Sequence, residues 1–116
     1  MRDNTPAVGT IVLVHFPFTD LTGMKRRPAV VLAHASGDDL ILACITSETD
    51  SRSSHTIMIP KTSKNFTATG LHTSSLIRVD KMVTLEKRIL TGELGTLGTT
   101  QMKEVRGCLK RLFSLV

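Results

Sequence analysis

The apolar residues of this chain come in short, β-branched runs, each closed by glycine, proline or a polar stretch, and that segmentation constrains the fold most. Thr10–Phe16 lies between Gly9 and Pro17, and Pro28–Ala33 follows a ten-residue polar loop. Leu40–Ile45 comes after a turn at Ser36-Gly37-Asp38-Asp39, and Thr56–Ile59 is stopped by Pro60. Runs of this length are strands rather than helices. Two of them joined by a tight turn make an antiparallel hairpin. Ser75–Val79 alternates as a further strand, and Met82–Leu85 reads as one more short one. The period changes only near the end of the chain. Met102, Val105, Cys108 or Leu109, Leu112, Phe113 and Val116 share one helical face, with Gly98-Thr99-Thr100 supplying capping candidates before it. Strands closed by one amphipathic helix predict a single α+β domain over residues 1–116, a small antiparallel sheet or barrel with the helix packed on it.

Charge narrows the partners. The formal net charge is +5. Residues 1–58 carry five basic and six acidic side chains, a net of −1, and residues 59–116 carry ten and four, a net of +6. Such a balance points to an anionic partner. The chain has four Phe and neither Tyr nor Trp, so it lacks the aromatic platforms that RRM and OB-type readers use to stack bases. If it binds nucleic acid, phosphate contacts must dominate. No apolar run approaches the ~20 residues of a membrane span, and the N-terminus opens no signal-peptide core. Cys44 sits in an apolar run and Cys108 on the helical stripe, so both read as buried free thiols and the protein as cytoplasmic.

The chain contains no CxxC pair, HExxH, P-loop or GxGxxG, and His15, His34, His55 and His72 lack metal-ligand spacing. Neither a metal nor a cofactor is expected. Lys25-Arg26-Arg27-Pro28 places three cations at the mouth of the second strand. They read either as charges guarding a sheet edge or as a phosphate clamp. Proline biases Arg27 towards extended backbone, which pre-organises its guanidinium. Ile45-Thr46-Ser47-Glu48 leaves the third strand with two hydroxyls. Since the turn lies at residues 36–39, Arg27–Pro28 and Thr46–Ser47 fall at the same open end of the hairpin. A guanidinium and a hydroxyl can converge there on one phosphate.

These residues resemble a known family. Gly9 through Val14, Phe16-Pro17-Phe18-Thr19-Asp20 and Lys25-Arg26-Arg27-Pro28-Ala29-Val30-Val31-Leu32 look like the opening of PemK/MazF-like toxins. Ile45-Thr46-Ser47, Ser75 to Lys81, Thr84-Leu85 and Leu94-Gly95-Thr96-Leu97 are similar to the rest of that family, so the likeness runs from Gly9 into the closing helix. It implies an SH3-like β-barrel with appended helices, the CcdB/PemK-like toxin fold, working as a homodimer. It implies a metal-independent, sequence-selective endoribonuclease that cuts single-stranded mRNA. It also implies a cognate antitoxin whose acidic tail occupies the RNA groove, with operator DNA as a target of the pair.

The resemblance maps its catalytic pair to Arg27 and Thr46. The RNA-facing set becomes Phe18, Asp20, Lys25, Arg26, Pro28, Ser47, Glu48, Arg78, Asp80 and Lys81. His15 stands where the family often has Asp, which leaves Glu48 or Asp80 to supply an acidic group. Attack of a 2′-hydroxyl on its own phosphate needs charge stabilisation and proton transfers rather than a metal. Arg27 can stabilise that charge and Thr46 can donate to a non-bridging oxygen, while an arginine is a poor general base. The resemblance implies a 2′,3′-cyclic phosphate and a 5′-hydroxyl as products. Two alternatives share the fold, a non-catalytic CcdB-like gyrase poison and a nucleic-acid-binding regulator. The gyrase poisons end in Trp-Gly-Ile, whereas this chain ends in Phe113-Ser114-Leu115-Val116.

Overall fold

The hairpin expected between residues 28 and 45 forms, and both of its strands are longer than their apolar runs. The computed structural model describes residues 5–15 and 26–115. Within them lie β1 (Thr10–Val14), β2 (Arg27–His34), β3 (Asp39–Thr46), β4 (Thr56–Ile59), α1 (Phe66–Thr69), β5 (Ser75–Glu86), β6 (Gly92–Thr96) and α2 (Thr99–Leu112). The strands form one curled sheet in the order β4-β5-β3-β2-β1-β6, with every neighbouring pair antiparallel. This is the small SH3-like sheet with a closing helix that the sequence predicts. It is a half-barrel, because β4 and β6 end the sheet without pairing to each other.

Both faces of the central strands are buried, which explains why their sequences are apolar runs rather than alternating ones. On one face Ile11, Val30, Ala43, Ile45, Ile77 and Val79 pack with Met102, Val105 and Cys108 of α2. On the other, Val12, Val14, Ala29, Val31, Leu40, Leu42 and Cys44 pack with Val83, Leu85 and Leu90. Each fully buried aliphatic side chain stabilises the fold by roughly 1.5–3 kcal/mol. The two cysteines are free and buried, as expected.

The curl is concentrated in β5. Ala43 of β3 stands opposite Met82, but the next residue, Cys44, stands opposite Arg78. Val79, Asp80 and Lys81 are therefore a bulge with no partners on β3, and bulges bend a strand and re-aim its side chains. Val79 is buried in the core, and its N–H donates to His55 O at 3.0 Å. The two strands expected at 75–79 and 82–85 are one bent strand.

Other expectations need correction. β1 ends at Val14, and His15 is exposed beyond it rather than inside the strand. β6 has no apolar alternation in its sequence, and it forms because β1 offers it a backbone ladder. α1 lies in a stretch that reads as a polar loop. It ends on Gly70 at φ +75, with the Gly70 N–H bonded to Thr67 O. α2 starts from an N-cap at Gly98, and no side-chain hydroxyl caps it. Its apolar face continues through Leu109 and Leu112, which pack partly buried against the core, and Phe113 is 55% exposed because the helix has already ended.

Candidate active site

The β2–β3 register brings the proposed pair together. Ala29 stands opposite Cys44, and one further pair of steps outward on each antiparallel strand is Arg27 and Thr46. Both line a cleft of about 370 Å³ at the open end of the hairpin. Arg26, Pro28 and Ser47 line it too, with Leu13 and Ile45 beside them. By strand alternation Arg27 and Thr46 share a face with Ala29 and Cys44, while Leu13, Pro28 and Ile45 share the other. The cleft thus wraps the end of the sheet. Its second wall is the loop that follows α1, with Gly70, Leu71, His72 and Thr73, together with Ser75 and Leu94.

Local geometry prepares the polar groups. Thr46 Oγ1 accepts the Glu48 N–H at 3.1 Å, closing a hydroxyl turn at the strand end. That bond uses an oxygen lone pair, so the hydroxyl proton remains available to donate. Arg27 occupies the first position of β2, where its backbone is fixed by pairing with Val14. A guanidinium on a strand end presents parallel donors suited to phosphate oxygens.

Arg78 comes from the paired residue just before the β5 bulge and Lys81 from within the bulge. Arg78 stands opposite Cys44, so it belongs to the same end of the sheet as Arg27. Burial pushes the Cys44 thiol up from 9.0 to about 11, and the positive charges of Lys81, Arg78 and Arg27 pull against it. All three positive charges act on this one buried thiol. Asp80 is exposed and pairs with Arg78, Oδ1 to Nε at 3.4 Å.

Of the residues singled out from sequence, Arg26, Arg27, Pro28, Thr46 and Ser47 meet at the cleft. Arg78, Asp80 and Lys81 cluster beside Cys44 and do not line the cleft itself. Glu48 is exposed, and it approaches Thr46 through its backbone N–H rather than its carboxylate. Phe18, Asp20 and Lys25 lie outside the described residues. Sequence reasoning missed the second wall. Residues 61–70 read as a polar stretch and His72 as an idle surface histidine, and only folding brings the loop after α1 against β2 and β3. Among the described residues no group of three His, Cys, Asp or Glu side chains is placed to hold a metal ion.

A second hollow of about 400 Å³ includes Asp38, Glu86, Lys87, Arg88 and Glu93 in its lining. Lys87 pairs there with Asp38 and Arg88 with Glu86, so its charges answer one another. The hairpin-end cleft differs in that its charged lining is only cationic among the described residues. That is the character of an anion site.

The family model for PemK-like, MazF-like toxins of type II toxin–antitoxin systems matches residues 7–113. The chain belongs to this family. Solved structures of similar fold include a MazF toxin from Deinococcus radiodurans, with 23% identity, TM-score 0.74, and 97% of this chain and 99% of that one covered. They also include an endoribonuclease in complex with its cognate antitoxin from a mycobacterial species, with 18% identity, TM-score 0.70 and 98% of both chains covered. A third is the Mycobacterium tuberculosis toxin MazF-mt6, with 17% identity, TM-score 0.71, and 92% and 98% covered. No curated protein matches the chain. Within this MazF-like toxin, no helix of the described residues is long and apolar enough to cross a membrane.

Proposed function

We infer that this MazF-like toxin is an endoribonuclease that cleaves single-stranded RNA by attack of a 2′-hydroxyl on the adjacent phosphate. The observation that carries this reading is the meeting of Arg27 and Thr46 on one cationic cleft, across the β2–β3 register. Arg27 binds the scissile phosphate and stabilises the negative charge that grows on it, which is where preorganised donors lower a barrier most. Thr46 donates its hydroxyl proton to a non-bridging oxygen. Arg26 and Ser47 extend the same wall. Arg78 and Lys81 hold neighbouring phosphates along the strand, and Asp80 orients Arg78. Because the nucleophile belongs to the RNA, the step needs no metal and leaves DNA uncut. Phe18, Asp20 and Lys25 remain assigned to RNA contact by family resemblance. So does Glu48, whose carboxylate would reach RNA from outside the cleft.

The partner readings follow from the same site. An acidic antitoxin segment would compete with RNA for the cations, and the toxin–antitoxin pair would meet operator DNA. A homodimer would cover Phe113 and Leu115, which stand 55% and 63% exposed past the end of α2.

The decisive experiment incubates the purified protein with a long single-stranded RNA in EDTA, beside the Arg27→Ala variant. Cleavage by the wild type and a loss of at least about 100-fold in the variant are expected, the scale of one transition-state donor removed. An inert wild type, or a variant that cuts equally well, overturns the assignment.

A further inference from the structure

We propose that His72 is the general base of the cleft, taking the proton from the attacking 2′-hydroxyl; this rests on the ribonuclease reading above. Among the described residues, that reading leaves the nucleophile's proton without an acceptor. Arg26 and Arg27 are fixed cations that cannot accept one, and the hydroxyls of Thr46, Ser47, Thr73 and Ser75 are far too weakly basic. Apart from these groups the described lining offers backbone and apolar side chains, and His72. Histidine is the side-chain type that exchanges a proton between about pH 5 and 8. The two carboxylates that sequence nominates are placed elsewhere: Asp80 is bound to Arg78, and Glu48 does not line the cleft.

The loop that carries His72 is built rather than loose. Thr69, 1% exposed, donates from Oγ1 to Phe66 O at 2.6 Å and accepts the Leu71 N–H at 3.1 Å. On the other side, Ser75 Oγ donates to Thr73 O at 2.9 Å, and the Lys61 N–H donates to Ser74 Oγ at 2.8 Å. Gly70 brings the loop against β6 so closely that a Cβ there would lie 2.2 Å from Leu94 O. These contacts pin the backbone on both sides of His72 and Thr73, the two residues of the loop that are exposed. A fixed loop presenting an exposed imidazole to the Arg27–Thr46 wall is the arrangement a positioned base requires.

In the step, a ring nitrogen of His72 takes the 2′-hydroxyl proton as the O2′–P bond forms. The P–O5′ bond breaks, and the leaving oxygen takes a proton from solvent water. His72 then returns its proton to solvent. The RNA ends as a 2′,3′-cyclic phosphate and a 5′-hydroxyl, with no net oxidation and no atom gained. Among the described lining, Arg26 and Arg27 are the charged groups that face His72, and both stay cationic throughout.

The test measures steady-state cleavage in EDTA between pH 5 and 8.5, on an oligonucleotide spanning a cut site mapped with the wild type. For His72→Gln we expect kcat to fall about 10²–10⁴-fold with KM within a few-fold, and the rising limb of the pH profile to vanish. For His72→Ala, added imidazole should restore part of the rate. His15→Gln, a histidine off the cleft, should keep the limb. A His72→Gln enzyme with the wild-type limb and kcat, or one altered only in KM, overturns this assignment while leaving the ribonuclease reading intact. A wild type that never cleaves RNA overturns both.

Discussion

Cys44 shows how one residue can report on the whole site. It is 9% exposed and feels the positive charges of Lys81, Arg78 and Arg27. Burial outweighs the three cations and raises its thiol from 9.0 to about 11. The folded protein keeps this proton over a range in which the unfolded chain has released it. The stabilisation from a neutral thiol is therefore complete below pH 9 and is lost as the pH rises towards 11. Urea unfolding of the wild type and Cys44→Ala at pH 8 and pH 10.5 should show the wild type losing about 2 kcal/mol more than the variant across that range. Parallel losses would place the thiol in water. This residue was legible in part: its apolar run announces burial, but nothing local to Cys44 announces the cations, which come from β2 and β5.

At the scale of elements, two glycines with opposite expectations test how α1 meets β6. A Cβ on Gly95 would stand 2.1 Å from Ala68 O, a backbone atom that cannot swing aside. Gly95→Ala should therefore destabilise by at least about 1–3 kcal/mol, as other overpacking substitutions do. Gly107 lies within α2, and its Cβ would meet only the end of the Arg111 side chain at 3.6 Å. Gly107→Ala should stabilise by about 0.5–1 kcal/mol through helix propensity. Thermal melts of both variants read the two signs, and a neutral Gly95→Ala would mean that α1 and β6 separate freely. Such backbone-to-backbone contact explains why α1 and β6 were not legible. Leu94-Gly95 carries no strand period and Phe66–Thr69 no helical stripe, so each depends on the other and on β1. The β2–β3 hairpin was legible because its apolar runs, turn residues and Pro28 all act locally.

For the whole molecule, the proposed ribonuclease reading assigns the RNA to the cleft rather than to α2. The excess of positive charge lies in residues 59–116, and α2 exposes Lys103, Arg106, Lys110 and Arg111. The cleft, however, draws on Arg26 and Arg27 from the other half, with Arg78 and Lys81 beside them. Each phosphate neutralised on a single strand contributes about −0.7 to the slope of log K against log salt, so four such cations give about −3. Binding of a non-cleavable single-stranded oligonucleotide, titrated at several salt concentrations, should lose about 0.7 of slope in Lys81→Gln. The double variant Lys103→Gln, Arg106→Gln should leave it unchanged. A slope carried by the α2 pair would move the RNA path to the helix.

By itself the sequence determined what depends on near neighbours. Short β-branched runs made strands, residues 36–39 made the turn, and the final 3.6-residue period made α2. The turn at residues 36–39 put Arg27 and Thr46 at the same open end of one hairpin, which could be read before folding, while the irregularity between Val31 and Ala33 set their register. Only the tertiary structure decided what depends on distant segments. It paired Arg78 of β5 with Cys44 and set the three-residue bulge that carries Lys81. It joined α1 to β6 through Gly70 and Gly95. It also closed the cleft with the loop that bears His72. The physical reason is the same in each case. These contacts join residues far apart in sequence through backbone pairing and close approach, which leave no period or motif in the segments they join.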